Sequence, residues 1–565
     1  MAAPQMYPKQ FVCFNSGSER CSSSTRPMHV RSERRRRWSR PDLARLASCV
    51  ACLAASFHVR AGFVITWQPR FAARSRARPM LAQPPGPPGA LPLVGHFPLM
   101  GLGALDVPNV PPPHVVMGEL SKVYGDVMSM RFGSYDVAVL SSPQAIEEAL
   151  CQGDCKAGAG RPSLPSVLTN GLSQGLSSAG VDKDWQLIRN ALLQEAFSRK
   201  AVLKATQDVV ASEAAKFAAS MQAVAEAGKA VNMRPRLRHA VTQLLFRWAL
   251  SLERDSPEAL QLEQLVDEAW QILTDPLVTA CDFIGVSRPD MARRLSQIRQ
   301  RRTALLSRLV IARRREKKRR DFVETRRPDF LDTLLESQAK HGFGVDLIVE
   351  TIGSLTTAGI STVANTIEWL LLLLALNPDA QARARRDALG TGDDRFLDAC
   401  ILETLRLKTP LFVPRRCLEP MNVKGWNIDK GTLLLPDSYA LAHDETLWTS
   451  GRLDTFDPDR FLNEERPLLD QVPGLKPKCF FSKLFGRKAS SQQNEALKFL
   501  PFGTGARFCP GAPLALEEVR EMASALLSSF EWETAGVGDL TEAYSFTLTP
   551  KYESELLFRP LEKEG

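Results

Sequence analysis

From Val116 to the C-terminus, apolar positions recur at two different spacings. Residues 126–131 and 135–140 alternate apolar with polar or small side chains, and a glycine lies in Phe132–Ser134 between them, so the pair predicts a β-hairpin. Around residues 184–197 the spacing turns helical, which sets Trp185 and Arg189, four apart, on one face. Phe343 to Leu376 predicts one long helix, apolar nearly all round towards its C-terminal end and stopped by Asn377 and Pro378. A helix of that kind belongs in a core. Short strands are expected from Pro414 through Gly425 and Gly431, an apolar helix from Ala512 to about Phe530, and a closing hairpin from Ser545–Pro550 and Leu556–Phe558. The pattern is that of a mainly α chain with a minor β-sheet region.

Composition changes this picture mostly at the N-terminal end. Of 565 residues, 44% are hydrophobic and 38 are proline, which suits a large core with many interrupted connections. The net charge of +9 is uneven: residues 1–80 hold 15 Lys/Arg against Glu19, Glu33 and Asp42, whereas the rest holds 57 basic and 60 acidic residues. The near-neutral body argues against nucleic-acid binding. Residues 1–80 read as a targeting or membrane leader, partly disordered. Its apolar run from Leu46 to Phe57 is 12 residues long, signal-sequence length and short of the roughly twenty that cross a bilayer. Extended to Trp67, the run makes a poor membrane anchor. The acid-free stretch Arg70–Arg78 is transit-peptide-like. A plastid or mitochondrial address and an endoplasmic-reticulum membrane anchor all remain open. Residues 81–95 form a proline-rich hinge ahead of a body spanning 96–565. The basic run Arg299–Arg327 reads as the solvated end of an amphipathic helix. Residues 462–498 read as a surface insertion, whose stretch 476–488 mixes cations with phenylalanines in a way that suits an acidic electron donor or a membrane surface. The eleven cysteines, odd in number and scattered, read as reduced thiols.

The chemistry concentrates in Phe502–Gly511. Gly503, Gly505 and Gly511 ahead of a helix demand a tight turn or a close approach. Cys509 lies in that turn beside a helix N-terminus, whose amides favour a thiolate, and Arg507 adds a cation two residues away. No second ligand stands at zinc spacing, so a single axial thiolate to haem iron, with Arg507 on a propionate, is the better fit.

The full pattern F-x-x-G-x-R-x-C-x-G, carried by Phe502, Gly505, Arg507, Cys509 and Gly511, resembles the haem-binding loop of the cytochrome P-450 family. That resemblance implies a helical prism around a buried haem b with Cys509 as the metal ligand. It implies that Trp185 and Arg189 reach a haem propionate, as does one of Arg415 and Arg416, with Arg416 the expected one. Glu403 and Arg406, at E-x-x-R spacing, with Arg460 would form a structural charge network. In the long helix, Ala358–Thr362 is similar to the family's oxygen-site motif: Gly359 would let the flat cofactor lie against the backbone, and Thr362 would guide protons to oxygen. Ser361, however, stands where the family has an acid. A serine passes protons only along a hydrogen-bonded chain, and Glu350 and Glu368 lie eleven and seven residues away.

The implied activity is monooxygenation of a lipophilic small molecule with O2. Electrons would come from a separate NADPH-dependent reductase or ferredoxin, since the remaining length holds no flavin or dinucleotide domain. A haem-thiolate isomerase, lyase or peroxygenase, needing no reductase, is the alternative that Ser361 keeps alive; a non-enzymatic haem sensor is a third.

Overall fold

The structure is a computed structural model. It describes residues 82–561 apart from 101–110, 153–154, 163, 165, 167–174, 178, 286–287, 319–326, 393–394, 411–412, 449–450, 463–496, 537 and 546. The leader, the stretch 476–488, and Leu411, Phe412 and Phe546 therefore lie outside the described residues.

The chain opens with α1 (Pro113–Tyr124) and the hairpin β1 (Val127–Phe132) and β2 (Tyr135–Leu140), paired antiparallel from Val127↔Leu140 to Phe132↔Tyr135. Gly133, at φ +58°, makes the two-residue turn. The proline-rich segment is no free tether. The amide of Ser129 on β1 donates to Pro85 O at 2.8 Å, and a Cβ on Gly86 would collide with Ser129 O. After α2 (Pro143–Leu150) come α3 (Lys183–Ala191), α4 (Ala211–Glu226), α5 (Met233–Leu250), α6 (Pro257–Leu273), α7 (Pro289–Lys317) and α8 (Phe330–His341). The basic α7 buries Leu295, Ile298, Leu305, Leu306 and Val310 on one face, which leaves most of its arginines on the other.

The long apolar segment is α9 (Val345–Ala375), 31 residues. Among the described residues it is the one helix long and apolar enough to cross a membrane, and 83% of its apolar window is buried in protein, so it is a core helix. It packs on α5 and on the helix that follows the cysteine loop, joining two hydrophobic clusters. Beyond it lie α10 (Pro378–Ala388), α11 (Phe396–Leu407), β3 (Arg415–Arg416), β4 (Leu433–Pro436), α12 (Ala512–Leu527), β5 (Phe530–Thr534), β6 (Glu542–Ser545), β7 (Thr547–Pro550) and β8 (Glu555–Pro560). β4 pairs parallel with β2 and antiparallel with β3, giving a sheet in the order β1-β2-β4-β3. The expected closing hairpin is absent: β7 turns back on β6, while β8 pairs with β5. Leu556 and Phe558 thereby reach the core beside Phe530 and Trp532.

Candidate active site

The loop before α12 is built by two left-handed glycines. Gly503 (φ +70°) and Gly505 (φ +66°) bend it, and a Cβ on Gly505 would fall 2.3 Å from Leu150 O at the end of α2. Gly511, by contrast, has φ −81° and room for a side chain, so its glycine is not demanded by either effect. The Cys509 amide donates to Phe502 O at 3.0 Å, closing the loop around a partly buried Cys509. Burial pushes the Cys509 thiol pKa up; the amides of Gly511 and Ala512 and the charge of Arg189 pull against it. The helix start thus favours the thiolate as expected, but desolvation outweighs it in the protein alone. Bonding to a cation would reverse that balance.

Around this loop stand four guanidinium groups. Arg507 donates to the carbonyls of Ala159 (2.9 Å), Leu176 (3.2 Å) and Ala179, and lies 4.4 Å over the Trp185 ring. Arg189, 5.3 Å over the same ring, donates to Phe508 O at 2.5 Å. Trp185 itself donates from Nε1 to Leu176 O. Arg415 donates to Thr504 O (3.4 Å) and Arg507 O (3.3 Å), and its Nη1 is buried with no hydrogen-bond partner. Arg161 donates to Ser177 O and Pro414 O. Burial lowers Arg161 to about 9 and Arg189 and Arg507 to about 10, and drives Arg415 well down. Mutual repulsion adds to this for Arg161, Arg415 and Arg507.

The named bonds of these four all go to backbone carbonyls, and among the described residues a carboxylate, Asp182, acts on Arg507. Buried cations without counter-charge are costly, so the cluster calls for a dianion, and the two propionates of haem have that charge. Among the described residues no three His, Cys, Asp or Glu converge as a metal site.

The expectation for Arg416 needs correction. Neighbouring residues on a strand point to opposite faces. On β3 it is Arg415 that turns to the loop, while the Arg416 guanidinium lies near Gly431 and acts on Tyr135. Arg161 was missed, because a single arginine in a loop carries no pattern.

On α9, Ala358 is exposed and Thr362 partly so, one open turn in a helix otherwise mostly buried. Thr362 Oγ1 donates to Ala358 O at 2.7 Å. Gly359 also needs correction: its missing Cβ points at Leu245 of α5, 3.3 Å away, so it serves the approach of two helices rather than that of a flat cofactor. We expect Gly359→Ala to leave the coupling of oxygen use to product unchanged and to shift Tm only slightly. A large fall in coupling would return Gly359 to the site. Ser361, next to Thr362 in the chain, is buried and accepts from Arg238 Nη1 at 2.5 Å.

Glu403, Arg406 and Arg460 come together in the core. Arg406 Nε and Nη2 both reach Glu403 at 2.7 Å, and Arg460 Nε stands 3.5 Å from the same carboxylate. Arg406 also donates to Ala442 O and Leu453 O, tying α11 to the segment that carries Phe461. Asp459 is exposed and pairs with Arg383.

A model of the Cytochrome P450 family matches residues 84–558. Drimenol monooxygenase of Persicaria hydropiper is 27% identical over 495 residues, covering 82% of this chain and 90% of that protein. Geraniol 8-hydroxylase of Catharanthus roseus is 26% identical over 519 residues, covering 86% and 95%. A zebra fish cytochrome P450 solved with progesterone superposes at a TM-score of 0.63, with 23% identity, over 80% of this chain and 100% of that one. The chain belongs to the cytochrome P450 family, and it is a P450-type monooxygenase whose cofactor is haem held by a cysteine thiolate.

Proposed function

We propose that this enzyme inserts one oxygen atom from O2 into a lipophilic small molecule, with Cys509 as the thiolate that would hold the haem iron and electrons from a separate protein. The observation that carries the reading is the partly buried Cys509 ringed by four buried guanidiniums whose named hydrogen bonds all go to backbone carbonyls. When bound, haem supplies the iron at which dioxygen is reduced and cleaved. The protein's part is positional. Cys509 would bind the iron, Arg161, Arg189, Arg415 and Arg507 would hold the propionates, and Trp185 stiffens Arg189 and Arg507. Thr362, donating its hydroxyl to Ala358 O, keeps its oxygen lone pairs free to accept from a proton-bearing donor. The drimenol- and geraniol-oxidising relatives suggest terpenoid alcohols as first substrates. The test is turnover of such a panel with a reductase, NADPH and isotopically labelled dioxygen. One labelled atom in the product supports the reading; product formed only from organic peroxide favours the peroxygenase.

Two variants check individual roles. Arg415→Gln removes a repelled cation, so the haem-free protein should gain stability while haem dissociates about 10–100-fold faster; unchanged haem retention would remove Arg415 from the propionate site. Thr362→Ala should raise peroxide release per NADPH severalfold, and unaltered coupling would count against its proton role. The strongly basic leader, with its acid-free stretch Arg70–Arg78, suits delivery to an organelle, which localisation of a fluorescent fusion to residues 1–80 would test.

A further inference from the structure

The long helix α9 carries carboxylates, yet neither near candidate is free to act at Thr362. Glu350 is held by Arg299 (3.4 Å) and Arg302 (3.8 Å). Glu368 is chelated by Arg234, with Nε at 2.9 and 3.2 Å and Nη2 at 3.0 Å. Arg238, one turn along α5 from Arg234, reaches Ser361 instead, Nη1 to Oγ at 2.5 Å. Its other edge holds a carboxylate of α6: Nε and Nη2 lie 2.8 and 2.5 Å from Asp267 Oδ1. The Asp267 side chain is 44% exposed, so this carboxylate meets solvent while one guanidinium ties it to the buried hydroxyl.

We propose that Asp267, held by Arg238 against Ser361, is the acid that feeds protons towards Thr362, a function residue 361 itself cannot supply. The proposal rests on the monooxygenase reading. A guanidinium does not release its proton at ordinary pH, so Arg238 is a positioning residue. Its N–H occupies a lone pair of Ser361 Oγ and thereby turns that hydroxyl's own hydrogen elsewhere. Both of its bonds to Asp267 fall on Oδ1, which leaves Oδ2 to water. A proton taken up there passes through water to Ser361 Oγ as Ser361 releases its own towards Thr362. Each group returns to its starting state, and one proton has moved inward. The other charged groups on the facing turns are engaged elsewhere: His239 pairs with Glu263, Arg234 with Glu368 and Arg301 with Glu268. The Trp270 ring lies 6.0 Å from the Arg238 guanidinium and adds no proton-accepting group.

The test compares the full-length holoenzyme with D267N, S361D and the D267N/S361D double variant. With reductase and NADPH, D267N should lose severalfold in product per NADPH and gain as much in peroxide release. Oxidation driven by cumene hydroperoxide, which needs no proton delivery during oxygen reduction, should be unchanged. S361D should restore coupling in the D267N background by placing an acid directly against Arg238. A readout apart from turnover is a double-mutant cycle on urea unfolding: R238Q and S361A should be non-additive, and R238Q and D267N likewise. Full coupling in D267N, loss of peroxide-driven oxidation along with it, failure of S361D to rescue, or additive unfolding would each overturn the proposal. A parent enzyme that oxidises substrate with peroxide but never with reductase sinks the monooxygenase reading, and this inference with it. A coupled parent beside an equally coupled D267N sinks the inference alone.

Discussion

Cys509→Ser abolishes reductase-driven oxidation and moves the reduced carbonyl Soret band back to that of a neutral or oxygen ligand. The expectation follows from geometry. Cys509 Sγ lies under the amides of Gly511 and Ala512, in a loop fixed by its own amide on Phe502 O at 3.0 Å. Serine keeps that backbone but not the soft, electron-donating sulfur that assists O–O cleavage. Among the described residues the other free cysteines are Cys151, Cys155, Cys281, Cys400 and Cys417. Of these, Cys400 and Cys417 are buried with pKa values driven up by desolvation, and Cys417 is pushed to about 11. Neither is poised to replace the lost thiolate. Retention of the shifted band in Cys509→Ser would mean that another residue binds iron.

Glu403→Ala should cost about 3–5 kcal/mol of stability, because it leaves buried guanidiniums without their carboxylate. Glu403 and Arg406 are fully buried, and Glu403 also accepts from the Asp457 amide at 3.1 Å. Leu402 and Leu405, beside the network on α11, share a hydrophobic cluster with Phe461, Phe508 and Ala512, so the cysteine loop should loosen with it. Denaturant unfolding measures the cost, and haem occupancy after purification reports the loop. A loss under 1 kcal/mol, with normal haem content, would show that the pair is dispensable. Arg406→Lys should sit between parent and Glu403→Ala, since lysine keeps the charge and loses the two-pronged contact.

The difference between what the sequence revealed and what it hid has a physical pattern. The long core helix, the hairpin and the cysteine loop were legible because each rests on local rules: apolar periodicity, a glycine turn, a motif of fixed spacing. Glu403 and Arg406 were legible as an i, i+3 pair. Arg415 was confused with Arg416 because residues adjacent on a strand differ only in the face they take, and tertiary packing decides the face. Gly359 was assigned to the cofactor because a small residue in a helix does not say which neighbour approaches it; Leu245 does. Arg161 and the Asp267–Arg238–Ser361 chain draw on elements far apart in sequence, where no spacing rule applies. The closing strands were mispaired for the same reason, since β8 finds its partner across the C-terminal fold rather than beside it.

The measurement that tests the central claim most directly is the Soret spectrum of the purified protein, reduced with dithionite under carbon monoxide. A red-shifted thiolate–carbonyl band, lost in Cys509→Ser, is the predicted result. A haem-loaded parent that shows only the band of a neutral ligand would contradict the account.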